Sequence, residues 1–165
     1  MSGNLNNFVQ TVGLASKEEL EAVNSDIWQE ITVAEKLNIP CQKPDIEQLT
    51  KVIVEPEIIS IRLINTPSSP GLNSEGDSLT GKKLIIEGIL KQKVVYVAEC
   101  VQQSIHAAHF RKAFSVYLVV PADAQNKEQF KVKILVEDIF INQLSQRSVF
   151  KNITLFIVAE QLSTN

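Results

Sequence analysis

Apolar residues near the N-terminus recur every three or four positions across residues 16–37, with glutamate and lysine between them. The apolar positions are Leu20, Val23, Ile27, Ile31 and Ala34. This spacing predicts an amphipathic helix. Ser16 and Glu19 have the spacing of a capping box, in which each side chain satisfies a free backbone donor at the start of a helix, and Pro40 ends the segment. A further helical turn is predicted over residues 45–49, with Asp45 as its cap.

From residue 51 onwards the apolar period changes to two, which is typical of β-strands. Residues 51–64 are rich in valine and isoleucine but contain Pro56, which a central strand would not tolerate. We therefore predict an edge strand bent at that proline. Residues 65–80 are dense in proline, serine, glycine and asparagine and are predicted to form a surface loop.

Further strands are predicted at residues 82–90 and 91–97, nearly as one run with Gly88 as a bulge or bend, and at residues 114–120, 131–141 and 149–159. No helical pattern separates them. The fold class expected is mainly β, an antiparallel β-sandwich or barrel-like domain with an N-terminal amphipathic helix. We expect a helical segment at residues 1–40 and the β domain at residues 41–165.

The composition excludes several classes of partner. The chain has 165 residues, enough for one domain, and its 16 basic and 19 acidic residues are interspersed with a net charge of −3. No broad positive field attracts a phosphate backbone, so no nucleic acid is expected to bind. The apolar runs are of strand length, so no membrane span is expected. The N-terminus has neither the basic start nor the apolar core of a signal peptide, which predicts synthesis ending in the cytoplasm.

Both histidines of the chain, His106 and His109, fall in one polar stretch at residues 102–110. Three-residue spacing places them on one face of a helix but on opposite faces of a strand. Two imidazoles without a nearby cysteine or carboxylate do not complete a metal site. We expect no metal and no cofactor, and a loop in which the histidines fix a strand crossing. The alternative, a metal-dependent binder or enzyme using this loop, stays open.

No catalytic residue is predicted, because the chain has neither a nucleophile elbow nor a glycine-rich phosphate loop. The expectation is a protein that is not an enzyme. Cys41 and Cys100 lie far apart and outside any CxxC spacing, so unreactive or buried thiols are expected, with a disulfide as the alternative. Arg147, in the turn before Phe150, is expected to pair with a carboxylate and hold the last hairpin. The candidate carboxylates are Glu55, Glu57, Glu137 and Asp138.

The ordered motifs of the β region carry a resemblance to a known family. They are Leu-Thr-Gly-Lys-Lys-Leu-Ile-Ile-Glu-Gly at 79–88 continuing to Ala98, Gln-Ser-Ile-His-Ala-Ala-His-Phe at 103–110, Phe-Ser at 114–115, Val-Glu-Asp-Ile at 136–139, and Arg147. Together with the lead-in at residues 40–49, they resemble the SPOCS family of spore-coat assembly domains over about residues 40–159. The LysM module of longer members is absent from this sequence.

The resemblance implies a non-enzymatic structural protein of a spore-forming bacterium. Such a protein is made in the mother-cell cytoplasm and joins the spore surface, as coat, exosporium or appendage, by binding itself or other spore-coat proteins, which implies a homo-oligomer. The alternative is a monomeric adaptor that recruits a spore morphogenetic protein. Contacts are expected on the edge at residues 51–64 and on the helix at residues 16–37.

The resemblance also implies structural or interface roles for individual side chains. These are Tyr96, His106, His109, Phe110, Phe114 and Arg147. Cys41 and Cys100 have no place in the family pattern, so any cross-link through them would be specific to this chain.

Overall fold

The computed structural model describes residues 9–163. In chain order the elements are β1 (Gln10–Val12), α1 (Lys17–Glu21), β2 (Trp28–Asn38), β3 (Ile46–Leu72), β4 (Ser78–Ala98), β5 (Ile105–Val119), a 3-10 turn (Lys127–Gln129), β6 (Phe130–Gln143) and β7 (Ser148–Gln161).

The strands form two sheets packed face to face. One sheet has the order β1-β3-β4-β5 and the other β2-β7-β6. Every pairing is antiparallel except that of β1 with β3. The mainly β prediction is confirmed, and the sheets do not close into a barrel.

The core follows from strict alternation along the strands. In β4 the even-numbered side chains face inward, and Leu84, Ile86, Leu90 and Val94 are each fully buried. At roughly 25 cal/mol per Å² of apolar surface, this burial is the main force that joins the two sheets. The prediction that residues 82–97 form nearly one strand is confirmed.

A polar layer divides the core into two apolar clusters. Glu35 on β2, Gln92 on β4 and Lys151 on β7 occupy inward positions between the clusters. The Lys151 ammonium lies 3.1 Å from Glu35 Oε1, and Gln92 Nε2 donates to the same oxygen at 2.9 Å. Burial lowers the pKa of Lys151, and Glu35 opposes that shift.

The predicted helix over residues 16–37 is wrong beyond its first turns. The Ser16 and Glu19 capping box is present, with Glu19 Oε2 accepting from the Ser16 amide at 2.7 Å and Ser16 Oγ from the Glu19 amide at 3.1 Å. It caps only the five-residue α1. The following residues form β2, which pairs with β7 along its whole length. In this segment Ile31, Val33 and Leu37 also fit a period of two, and pairing with a distant strand decides between the two periods.

Two further local predictions are wrong in the same direction. Residues 45–49 are not a helical turn, because β3 begins at Ile46. Residues 65–80 are mostly strand rather than loop, because β3 and β4 continue as an arm whose turn is residues 73–77. Asn73 holds this turn, since its Oδ1 accepts from the amides of Glu75 and Asp77. Shifts of register near Ser68 interrupt the alternation that would have indicated a strand.

The irregularity predicted at Gly88 is present, but the extra residue lies on the neighbouring strand. The register of β3 shifts between Ile58 and Ser60, opposite Gly88 and Glu87. A Cβ atom at Gly88 would overlap the ring of Phe114, which pairs with it across the strands. Gly88 therefore makes room for that ring.

Candidate protein-binding surfaces

Arg147 holds the connection between β2 and β3 from the turn between β6 and β7. Its Nη2 donates to the carbonyl oxygens of Ile39 and Pro40 at 3.0 and 2.8 Å. Its Nη1 donates to the carbonyl of Lys43 at 2.7 Å and to Asp45 Oδ1 at 2.9 Å. The side chain pairs with a carboxylate, as expected, but it holds the connection between β2 and β3 and not the last hairpin.

The partner carboxylate was predicted wrongly. The carboxylate that pairs with Arg147 belongs to Asp45, immediately before β3. It does not belong to any of the predicted residues Glu55, Glu57, Glu137 and Asp138. A sequence cannot show which distant acid a turn residue meets, because that is decided by how the two sheets stack.

Tyr96 and His106 support the same connection from the other sheet. Tyr96 is fully buried, and its hydroxyl donates to the Pro44 carbonyl at 2.9 Å. Burial raises the pKa of Tyr96. The ring of His106 stacks on that of Tyr96, with the ring centroids 6.0 Å apart and the planes inclined by 27°, and His106 Nε2 is 3.0 Å from Ser104 Oγ.

His106 and His109 lie on strand β5, not in a loop, so that expectation is wrong. The alternation along β5 directs His106 to the inner face and leaves His109 exposed on the outer face. The two imidazoles therefore do not converge on one ligand. Within residues 9–163, no group of three or more histidine, cysteine or acidic side chains is placed to hold a metal ion.

The two phenylalanines pack inward. Phe114 is 9% exposed within the first apolar cluster, and Phe110 is half-buried against the second. Of the cysteines, Cys41 is exposed and Cys100 half-buried, so neither is a core thiol, and both are free. Hydrogen bonds from the backbone and hydroxyl of Ser104 lower the pKa of Cys100. Cross-linking between chains stays a prediction.

Two strands of the larger sheet have long unpaired edges. One edge of β3 pairs with β4, and the opposite edge pairs only with β1, at Lys51–Ile53. Among the described residues, that opposite edge is therefore unpaired from residue 54 to Leu72. Strand β5 pairs only with β4, so its other edge is free along residues 105–119 of the described chain. The prediction of an edge strand around Pro56 is confirmed from residue 54 on.

Comparison with protein families identifies the domain. The model described as SipL, SPOCS domain, matches residues 45–144, which is more than half of the chain. The chain belongs to the SPOCS-domain family. No curated protein and no solved structure matches the chain significantly. Family membership indicates a sporulation-related protein.

The SPOCS match begins at Asp45 and spans β3 to β6. It includes Tyr96 and His106, whereas Arg147 and the strands β2 and β7 lie outside it. None of the helices in residues 9–163 is both long and apolar enough to cross a membrane.

The polar layer was missed by reasoning from the sequence. A signal existed, since Gln92 and Lys151 each occupy an inward position within an alternating apolar strand. A polar residue in such a position predicts a buried partner. Its identity as Glu35 required the position of β2, which the sequence did not reveal.

Proposed function

We propose that this SPOCS-domain protein is a non-enzymatic structural protein of the spore surface. It self-assembles or joins a layer of other spore-coat proteins, in the coat, the exosporium or an appendage. Family membership supports the sporulation context. The route of assembly is β-augmentation, in which strands of neighbouring subunits pair at free sheet edges.

The observation that carries this proposal is the free edge of β5. Exposed edges are usually protected by proline, charge, bulges or short length. The edge of β3 has such protection in Pro56, Pro67 and Pro70 and in several register shifts. Strand β5 carries the charges of Arg111 and Lys112, but it runs for 15 residues without proline, glycine or a register shift against β4. We therefore assign the pairing to β5, in place of the edge at residues 51–64.

The backbone groups available for pairing can be identified. At the two ends of the β4–β5 ladder, Ala98 N–H donates to the Ser104 carbonyl at 2.9 Å and Val120 N–H to the Lys82 carbonyl at 3.2 Å. The register between these ends is unbroken. Because hydrogen-bonded and non-bonded pairs alternate in antiparallel sheets, even-numbered residues of β5 bond to β4 and odd-numbered residues direct their N–H and C=O groups outward.

This alternation defines a matched pair of proline variants. Ser115→Pro removes an outward N–H, so we expect the fold to be kept and assembly to be lost. Lys112→Pro removes an N–H that bonds to the Leu90 carbonyl, so we expect destabilisation by about 1–3 kcal/mol. Ser115→Val keeps the N–H and serves as the control. Light scattering and negative-stain electron microscopy measure assembly, and thermal unfolding measures the fold.

Ordered particles from the wild type and from Ser115→Val, and their loss in Ser115→Pro with an unchanged melting temperature, would support pairing at β5. Normal assembly by Ser115→Pro would refute that route. A wild-type protein that stays monomeric at high concentration would refute self-assembly and favour the adaptor.

A further inference from the structure

The outer face of the smaller sheet carries two exposed aromatic pairs. The outward side chains of β2, β7 and β6 are here called the aromatic face. Trp28 and Phe156 lie 5.3 Å apart between ring centroids, and Phe140 and Phe150 lie 6.4 Å apart. Trp28 and Phe140 are each 52% exposed. Phe150 and Phe156 are six residues apart on β7, so the two pairs are separated by roughly 20 Å.

Carboxylates lie beside these aromatic pairs. Glu30 pairs with Phe156 across the strands, Asp138 pairs with Thr154, and Glu137 is the extra residue of a register shift in β6. Desolvation and the neighbouring Glu30 raise the pKa of Glu137. In the described chain none of the three acids forms a salt bridge, so they make an acidic cluster on the aromatic face. The same face also carries Lys36, opposite Phe150, and Lys133, which pairs with Glu160.

The outer face of the larger sheet carries a cluster of cations beside Glu55, Glu57 and Glu87. The outward side chains of β3, β4 and β5 are here called the basic face. Lys91 lies opposite Arg111, and Lys93 lies opposite His109. Lys91 and Arg111 are like charges directly opposite each other, which destabilises a sheet. Lys91 pairs with Glu57, but across residues 9–163 neither Lys93 nor Arg111 forms a salt bridge.

The two faces also match in spacing. On β4, the outward residues Lys91 and Lys93 lie between the outward apolar residues Ile89 and Val95. On β7, the outward polar residues Asn152 and Thr154 lie between the outward aromatic residues Phe150 and Phe156. Along each of these two strands the polar positions therefore lie between apolar positions about 20 Å apart. The neighbouring strands add Phe140 beside Asn152, Lys36 beside Phe150 and Glu57 beside Ile89.

We propose that the aromatic face of one copy docks onto the basic face of a second copy. Docking of the basic face onto itself would leave Lys93 and Arg111 without a carboxylate partner, whereas docking onto the aromatic face brings the acidic cluster to them. The faces lie on opposite sides of one sandwich, so the contact is heterologous and stacks copies in an open array. Each copy adds two sheet layers, or about 20 Å, along the stack. The inference rests on the proposed self-assembly and specifies its contact.

Charge reversal on each face tests the contact directly. The variant K93E/R111E places an acidic cluster on both faces, and E137K/D138K places a basic cluster on both faces. We expect each alone to raise the concentration needed for assembly about tenfold or more, and an equimolar mixture of the two to assemble. Controls are K17E and E18K on α1, which carry the same kinds of reversal away from both faces. Light scattering measures assembly, and circular dichroism verifies the fold.

Each outcome is decisive for a different statement. Restoration by mixing supports docking between unlike faces. Normal assembly of both reversed variants would overturn the inference while leaving pairing at the β5 edge intact. Loss in only one variant would overturn head-to-tail stacking in favour of a symmetric contact, and failure of the mixture would overturn direct contact between the faces. A wild type that does not assemble would overturn the proposed function itself.

Discussion

Replacing Arg147 by alanine should weaken the domain at the connection between β2 and β3. The guanidinium makes four hydrogen bonds there, three to carbonyl oxygens and one to Asp45. Two backbone bonds cross at the same place, from Ile39 N–H to the Arg147 carbonyl and from Ile46 N–H to the Gln146 carbonyl, each 2.8 Å long. The alanine variant removes the side-chain bonds and leaves these two.

The expected cost follows from these contacts. A hydrogen bond to a charged group contributes about 1.5–3 kcal/mol when it is well shielded. The Arg147 side chain is 37% exposed, so water can replace part of what is lost. We expect a loss of about 3 kcal/mol in the free energy of unfolding, which lowers the melting temperature of a domain of this size by roughly 6–12 °C. Arg147→Lys should lose about half as much, since an ammonium cannot form the two-pronged contact.

Thermal and urea unfolding of the purified variants measure this loss. Arg62→Ala is the matched control, because its ion pair with Glu87 is exposed at 63% and 40% and should contribute less than about 1 kcal/mol. Hydrogen exchange at the amides of Ile39 and Ile46 gives a local readout and should accelerate only in the Arg147 variants. Equal melting temperatures for Arg147→Ala and Arg62→Ala would refute the reasoning.

Two further predictions concern the core. Gly88→Ala should destabilise the domain by about 1–3 kcal/mol, because the added methyl group overlaps the Phe114 ring. In a double-mutant cycle, Phe114→Leu should partly restore the stability lost in Gly88→Ala. Gly71→Ala is the control, because a methyl group at Gly71 points into open space. Burial lowers the pKa of Lys151, so between that lowered pKa and the ordinary value of 10.5 the unfolded chain binds more protons than the folded one. The stability of the wild type relative to Lys151→Met should therefore rise with pH across this alkaline range, as urea unfolding would measure, and a flat difference would contradict it.

The sequence located most strands because their side chains alternate strictly. β4, β6 and β7 were predicted within a few residues, and the family motifs of the β region lie on or next to β4, β5 and β6 and in the turn before β7. Strand β2 was missed because its apolar spacing fits two periods, and the arm of β3 and β4 was missed because proline and register shifts hide its alternation. Local pattern carries no information about pairing with a distant strand.

For the candidate surfaces, the sequence indicated the family, the importance of Arg147 and an edge strand containing Pro56. It did not indicate the regular, unpaired edge of β5, because a strand edge can be recognised as unpaired only when the neighbours of the strand are known. The acidic cluster on one outer face and the cations on the other were equally hidden, since Glu30, Asp138, Lys93 and Arg111 come from four different strands.

The sequence by itself determined the β class of the domain and its family, since both depend on short-range alternation and on ordered motifs. Only the tertiary structure decided the partner of Arg147, the salt bridge between Glu35 and Lys151, and the placement of the acidic cluster and of Lys93 and Arg111 on opposite faces. The physical reason is that each of these joins residues distant along the chain, whose meeting is fixed by how two twisted sheets bury their apolar sides against each other.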